Sequence, residues 1–228
     1  MANKKDLNFE TKVIHAGQKS DPTTGAVMTP IVLASTYEQS SPGVHKGYDY
    51  SRSINPTREA FENCIASLEN GIKGYGFSSG VAAISACVEL LSPGDHIIAM
   101  DDLYGGSVRL FNEIKSISQG IEVTYVDMTD IDNVKNSIKE STKMIFVETP
   151  TNPLLKIADL SKIAKLAKAN KILTVCDNTF ASPYNQQPLN HGIDIVIHSA
   201  TKYLGGHSDL IAGAMIIGKK DKKLINRM

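Results

Sequence analysis

Between residues 96 and 218 the chain alternates short apolar runs with helical stretches, and this alternation limits the fold more than any other feature. The runs HIIAM (96–100), IEVTYV (121–126), KMIFVE (143–148), KILTVC (171–176), DIVIHS (194–199) and AMIIG (214–218) read as strands. Helices fit near 80–91, 106–118, 130–140 and 159–169, where Ile163, Leu166 and Ala167 make one apolar face of the last. Strands alternating with helices predict an α/β domain built on a mostly parallel sheet. Ligands of such sheets sit beyond the carboxyl ends of the strands, so the polar residues there are the candidates for chemistry.

The N-terminal part reads differently. Residues 1–55 are rich in Pro, Gly, Ser and Thr and hold no sustained period, which predicts an extended arm that lies against something else. At Asn55 the pattern changes. Asn55 is placed to cap a helix and Pro56 suits its first turn, while Phe61, Cys64, Ile65 and Leu68 recur at helical spacing until Gly71. The expected organisation is an arm over 1–55 that makes inter-subunit contacts, followed by one large domain over 56–228.

With 228 residues, 42% of them hydrophobic, the chain is long enough to bury a sizeable core. Lysine plus arginine equals aspartate plus glutamate at 24 each, so no net field draws it to nucleic acid or anionic lipid. The opening MANKKDLNFETK lacks the apolar core of a secretory signal, and no later apolar run approaches the roughly 20 residues of a membrane span. A cytoplasmic protein acting on small molecules is the expectation. Cys64, Cys87 and Cys176 form no CxxC pair and sit inside apolar patterns, which predicts reduced core thiols and no metal site.

Several strand ends carry reactive residue types. Lys202 follows the strand 194–199 by three residues, where partly apolar surroundings would lower its pKa and free a nucleophilic amine for an aldehyde. Asp177 ends KILTVC; if the strands adjoin, it faces the same crevice as Lys202. A pyridoxal phosphate ring wants that pair, a lysine at its aldehyde carbon and an acid at its ring nitrogen. Gly80 and Val81 open an apolar helix whose backbone N–H groups suit a phosphate, and Ser199 and Thr201 add hydroxyls beside the lysine. Tyr104 follows HIIAM, where its ring could stack on a flat cofactor or simply pack. Tyr50 and Arg52 offer a phosphate grip on an arm with no core of its own, which invites docking on another subunit.

The segment DIVIHSATKYLGGHS resembles the signature around the cofactor lysine of the Cys/Met-metabolism pyridoxal-phosphate enzymes. The resemblance continues through YDYSRSINPTR, SSGVAA, DDLYGGS, VETPTNPLLKIADL and DNTFASPY, in the family's order and over nearly the whole chain. It implies a fold-type I, aspartate-aminotransferase-like large domain with pyridoxal 5′-phosphate as cofactor. Lys202 would be the Schiff-base lysine and Asp177 the partner of the pyridine nitrogen. Ser199, Thr201, Gly80 and Val81 would hold the phosphate, and Tyr104 would stack over the ring and help activate the substrate amine. Tyr50 and Arg52 would reach the phosphate of a neighbouring subunit, giving an active dimer within a tetramer. Asn152 resembles the residue near the cofactor 3′ oxygen and the substrate carboxylate, and Arg109 the arginine that meets a distal carboxylate.

The implied activity is carbon–sulfur cleavage of cystathionine in trans-sulfuration. Methionine-cleaving members typically carry a cysteine after the YG of this motif, whereas Gly106 stands here, which favours a cystathionine-handling member. Among these, γ-elimination is favoured over β-elimination or γ-synthase chemistry. Ile54 stands where glycine is frequent before NPTR, at a position where members vary. The chain stops at LINRM, whereas family members continue into a smaller C-terminal domain that supplies the main arginine for the substrate α-carboxylate. A chain lacking that domain is expected to bind cofactor yet turn over poorly. A sugar aminotransferase on the same fold would need a different stretch around the lysine.

Overall fold

The computed structural model describes residues 7–218 and 225–226. Residues 1–6 of the opening segment, and all of the LINRM end except Ile225 and Asn226, lie outside the described residues. By internal contacts the chain divides into two units, Met1–Leu68 and Glu69–Met228, so the helix after Asn55 groups with the arm.

In the first unit a short helix, α1 (Phe9–His15), precedes an irregular stretch and a two-stranded antiparallel ribbon, β1 (Gln39–Ser41) and β2 (Val44–His45). Gly43 turns the ribbon at φ 77°, a left-handed conformation that disfavours a side chain. The unit ends in α2 (Pro56–Leu68). Asn55 caps α2 as its side chain suggests: its Oδ1 accepts from the N–H groups of Thr57 at 2.9 Å and Arg58 at 3.3 Å. Arg58 ties the approach to the helix by donating to the carbonyls of Ser51 and Ser53 and pairing with Glu62 at 3.1 Å. Two expectations shift here. The buried face of α2 is Glu62, Ile65, Ala66 and Leu68, with Phe61 37% exposed. The arm also contains α1, which has no buried residue and therefore no apolar stripe to read.

The second unit is a seven-stranded sheet of β3 (Lys73–Phe77), β4 (His96–Met100), β5 (Glu122–Val126), β6 (Thr142–Glu148), β7 (Leu173–Asp177), β8 (Ile195–Ser199) and β9 (Gly213–Ile217). Their order is β3-β9-β8-β7-β6-β4-β5. Neighbours from β8 to β5 pair in parallel, while β9 pairs antiparallel with both β8 and β3. Every strand except β9 therefore points the same way, and their carboxyl ends share one edge of the sheet. The connecting helices are α3 (Gly80–Val88), α4 (Gly105–Arg109), α5 (Ser116–Gln119), α6 (Ile131–Asn136), α7 (Leu160–Ala169) and α8 (Ser182–Asn185). Strands buried along their length, such as β4 and β9, require cover on both faces, which explains why they read as unbroken apolar runs. The core runs through Ile97, Met100, Phe111, Phe146, Ile163, Val175 and Ile197, and burying each contributes roughly 1.5–3 kcal/mol. Phe111 meets Phe146 edge-on at 5.3 Å between ring centres.

All six strands read from the sequence are present within two residues of the expected bounds. KGYGF, the edge strand β3, was not expected. Its alternating glycines lack side chains to show a period, and it exists because β9 pairs along its whole length. The helix expected over 106–118 instead changes hydrogen-bond register, with a π-helical segment Leu110–Lys115 between α4 and α5.

Candidate active site

The loops after β3, β4, β6, β7 and β8 converge on a cavity of about 270 Å³. After β3, Ser79 caps α3, its Oγ accepting from the Ala82 N–H at 3.1 Å. The next residue cannot carry a side chain without disturbance. A Cβ on Gly80 would sit 2.8 Å from Ser199 Cβ, and one on Gly213 would sit 2.0 Å from the Ser79 carbonyl oxygen. Two glycines thus let the start of α3 press against the ends of β8 and β9, with its unpaired N–H groups at the cavity.

Asp177, the last residue of β7, is buried, and burial raises its pKa. Thr179 donates to its Oδ1 from both N–H (3.0 Å) and hydroxyl (2.5 Å), which leaves Oδ2 without a hydrogen bond among the described residues. The Thr179 hydroxyl also accepts from the Ser199 N–H at 2.8 Å, locking β7's loop to the end of β8. Behind this edge Glu69 and His198, both fully buried, meet at 2.6 Å. The same Glu69 oxygen accepts from Asn178 at 2.8 Å. The two hydrogen bonds from Thr179 act on the Asp177 pKa in the opposite sense to burial.

Glu148 ends β6 directly beside Asp177 in the strand register. Burial first, and then the Asp177 charge, push its pKa up to about 8. It accepts from the Tyr104 N–H at 3.0 Å, so the residue after β4 is held by the end of β6. The loop that carries Asn152 is held in turn: Asp102 Oδ2 accepts from the Thr151 hydroxyl and from the Leu154 N–H at 2.9 Å. Lys156 then bridges Asp101 at 2.7 Å and Asp127 at 3.1 Å.

Gly80, Val81, Tyr104, Asn152, Asp177, Ser199, Thr201 and Lys202 all line this one cavity. Lys202 itself is exposed, and this corrects the expectation of a desolvated amine: the turn after β8 presents it at the mouth of the cavity, where water reaches it. The Thr201 hydroxyl is engaged with the backbone of Ala212, while Ser199 Oγ has no hydrogen-bond partner among the described residues. Arg109 is exposed at the end of α4 and is not part of the lining. Tyr50 and Arg52 belong to the first unit, where the guanidinium lies 5.1 Å from the tyrosine ring centre.

Sequence reasoning passed over Glu148, Thr179 and Phe180, which also line the cavity. For Glu148 a signal existed: an acid closing an apolar strand that neighbours the strand of Asp177. Thr179 acts through Asp177, and no spacing announces that.

A model of the family described as Cys/Met metabolism PLP-dependent enzyme matches residues 10–228. A cystathionine beta-lyase of Coxiella burnetii is 57% identical over 216 residues, 95% of this chain and 56% of the relative. A cystathionine gamma-lyase of Bacillus subtilis is 50% identical over 94% of this chain and 56% of its own. The crystal structure of cystathionine gamma-lyase from Lactobacillus plantarum complexed with L-serine superposes with a TM-score of 0.93 at 49% identity, covering 97% of this chain and 57% of that one. The chain spans a little over half the length of the curated relatives it matches. With a family match across nearly its whole length, the chain belongs to the Cys/Met metabolism PLP-dependent enzyme family.

Proposed function

We propose that this chain is the cofactor-binding part of a pyridoxal-phosphate-dependent carbon–sulfur lyase that acts on cystathionine. The observation that carries the reading is that the Lys202 amine and the Asp177 carboxyl line one cavity from adjacent parallel strands. The residues fit the cofactor. Asp177 lines the cavity with an oxygen that makes no hydrogen bond among the described residues and suits a protonated ring nitrogen, and the glycine-cleared start of α3, with Ser199 Oγ beside it, suits a phosphate. When bound, the cofactor supplies an electron sink for charge left on the substrate Cα.

The chain's own groups do the rest. Lys202 would hold the cofactor through its aldehyde carbon, and its Nζ would be the group that takes and returns protons at the substrate carbons. Asp177 Oδ2 keeps the proton on the ring nitrogen; the bound cation brings down the pKa that burial raises. Tyr104, which lines the cavity, would stack on the ring and help take the proton from the substrate amine. Asn152 meets the substrate carboxylate and the 3′ oxygen, while Gly80, Val81, Ser199 and Thr201 hold the phosphate. Thr201 lies beside it with both its N–H and its hydroxyl bonded to Ala212, so holding the phosphate would require it to give up one of these bonds. Tyr50 and Arg52 reach the phosphate of a neighbouring subunit in a dimer-based tetramer, and Arg109 meets a distal carboxylate. The free thiols of Cys64, Cys87 and Cys176 suit the reducing cytoplasm.

Gly106 in the YGG turn supports a cystathionine-handling enzyme, and among such enzymes γ-elimination is the first reading. The identity to a relative named cystathionine beta-lyase supports β-elimination as the second reading. A product assay separates them: cystathionine yields cysteine, 2-oxobutanoate and ammonia by the first route, and homocysteine, pyruvate and ammonia by the second. Reduction of the cofactor-loaded protein with borohydride should fix the label on Lys202, and K202A should stay colourless. A label on any other lysine would overturn the reading. Cofactor bound without keto acid released would leave this chain a binding part only.

A further inference from the structure

Glu148 has no part in the cofactor contacts above, yet it is 4% exposed, lines the cavity and lies directly beside Asp177. A buried carboxyl is costly unless something uses it. Its Oε2 accepts from the Tyr104 N–H at 3.0 Å, and a second backbone N–H, from Asn152, also bears on it. Tyr104 and Asn152 stand on separate loops, after β4 and after β6. Tyr104 has no side-chain cap of its own at the start of α4, and its ring is 46% exposed, so little else fixes its height over the cavity.

We propose that Glu148 is a positioning residue: its carboxyl binds the backbone of Tyr104 to the end of β6 and so sets the distance between the tyrosine ring and whatever Asp177 and Lys202 hold. This rests on the proposed function for the identity of that ligand. Two carboxyls side by side at the cavity floor are not both ionised cheaply. With Asp177 paired to a cation, Glu148 keeps its proton, consistent with the raised pKa that burial gives it. A neutral carboxyl still offers a carbonyl oxygen to the Tyr104 N–H. The titrating and charged groups around Glu148 are Asp177 on β7, Asp102 after β4, and Tyr104 and Lys202 on the same cavity.

The test compares wild type, E148Q and E148A in two ways. In cofactor-free protein, amide hydrogen exchange at Tyr104 should speed up by about tenfold in E148A, the value of one lost hydrogen bond, and stay near wild type in E148Q, which keeps an acceptor. In protein loaded with pyridoxal 5′-phosphate, circular dichroism in the cofactor's visible band should fall about twofold or more in E148A at equal occupancy and recover in E148Q. A part that only supports the fold would change unfolding without this split. Wild-type dichroism and Tyr104 exchange in E148A, or equal losses in E148Q and E148A, would overturn the proposal. If E148A does not fold, E148Q decides alone: Tyr104 exchange and dichroism like wild type support it, and loss of either sinks it. A wild-type protein that takes up no cofactor would sink the functional reading instead, with the exchange result separate.

Discussion

Replacing Gly80 with alanine adds a single methyl group where the start of α3 presses against the end of β8. The new Cβ would lie 2.8 Å from Ser199 Cβ and 2.9 Å from Ser199 Cα, so the gap must widen to about 3.4 Å. Ser199 ends a strand paired on both sides, with β9 and β7 as neighbours. The start of α3 must therefore move. Overpacking of this kind costs about 1–3 kcal/mol, and alanine returns up to about 1 kcal/mol of helix propensity, so a net loss of about 0–2 kcal/mol is expected. The larger effect falls on the ligand. N–H groups displaced by half an ångström lose their aim at the phosphate, and about 1.4–2.8 kcal/mol of lost contact weakens cofactor affinity ten- to a hundredfold. Gly105 gives the matched control, since nothing lies within 4 Å of the Cβ it would gain. Urea unfolding of the cofactor-free variants and titration with pyridoxal 5′-phosphate followed by absorbance measure both quantities. G80A with stability within about 0.5 kcal/mol of wild type and affinity within about twofold would refute the argument that Gly80 is there for close approach.

Other consequences are equally direct. Glu148 keeps, in the folded state, a proton that the unfolded chain has released above the ordinary carboxylate range. The folded state thus binds more protons, and stability of the cofactor-free protein should fall as pH rises from about 5 to about 8, by at most about 1.4 kcal/mol per pH unit. E148Q should flatten that slope in urea melts at stepped pH, and an unchanged slope would assign it elsewhere. Glu69→Ala orphans His198 Nε2 in the core and removes one of the two hydrogen bonds of Asn178 Nδ2, and equilibrium unfolding should show a loss of about 3–5 kcal/mol; a loss under 1 kcal/mol would mean that the buried pair contributes little. In G106A the new Cβ would fall 2.4 Å from Tyr104 Cε1. Because that ring is half exposed it can swing away, so stability should change by less than about 1 kcal/mol while the visible dichroism of bound cofactor drops. Unchanged dichroism would show that Gly106 does not set the ring's pose.

The periodicity of the chain determined the six apolar strands and a mostly parallel sheet, because strands buried on both faces must be apolar throughout; that β9 runs antiparallel to both its neighbours was left to the tertiary structure. Local chemistry determined the Asn55 cap, and residue type at strand ends picked out Lys202 and Asp177. Only the tertiary structure decided that these two share a cavity, since strand order is set by packing among elements far apart in sequence. It also decided that β3 is a strand, because its partner β9 lies some 140 residues on and glycine hides the alternation. The exposure of Lys202 and the buried tie from Glu148 to Tyr104 belong to the same class. Burial and hydrogen-bond partners depend on what stands next in space, and the identity of a single residue carries no record of its neighbours.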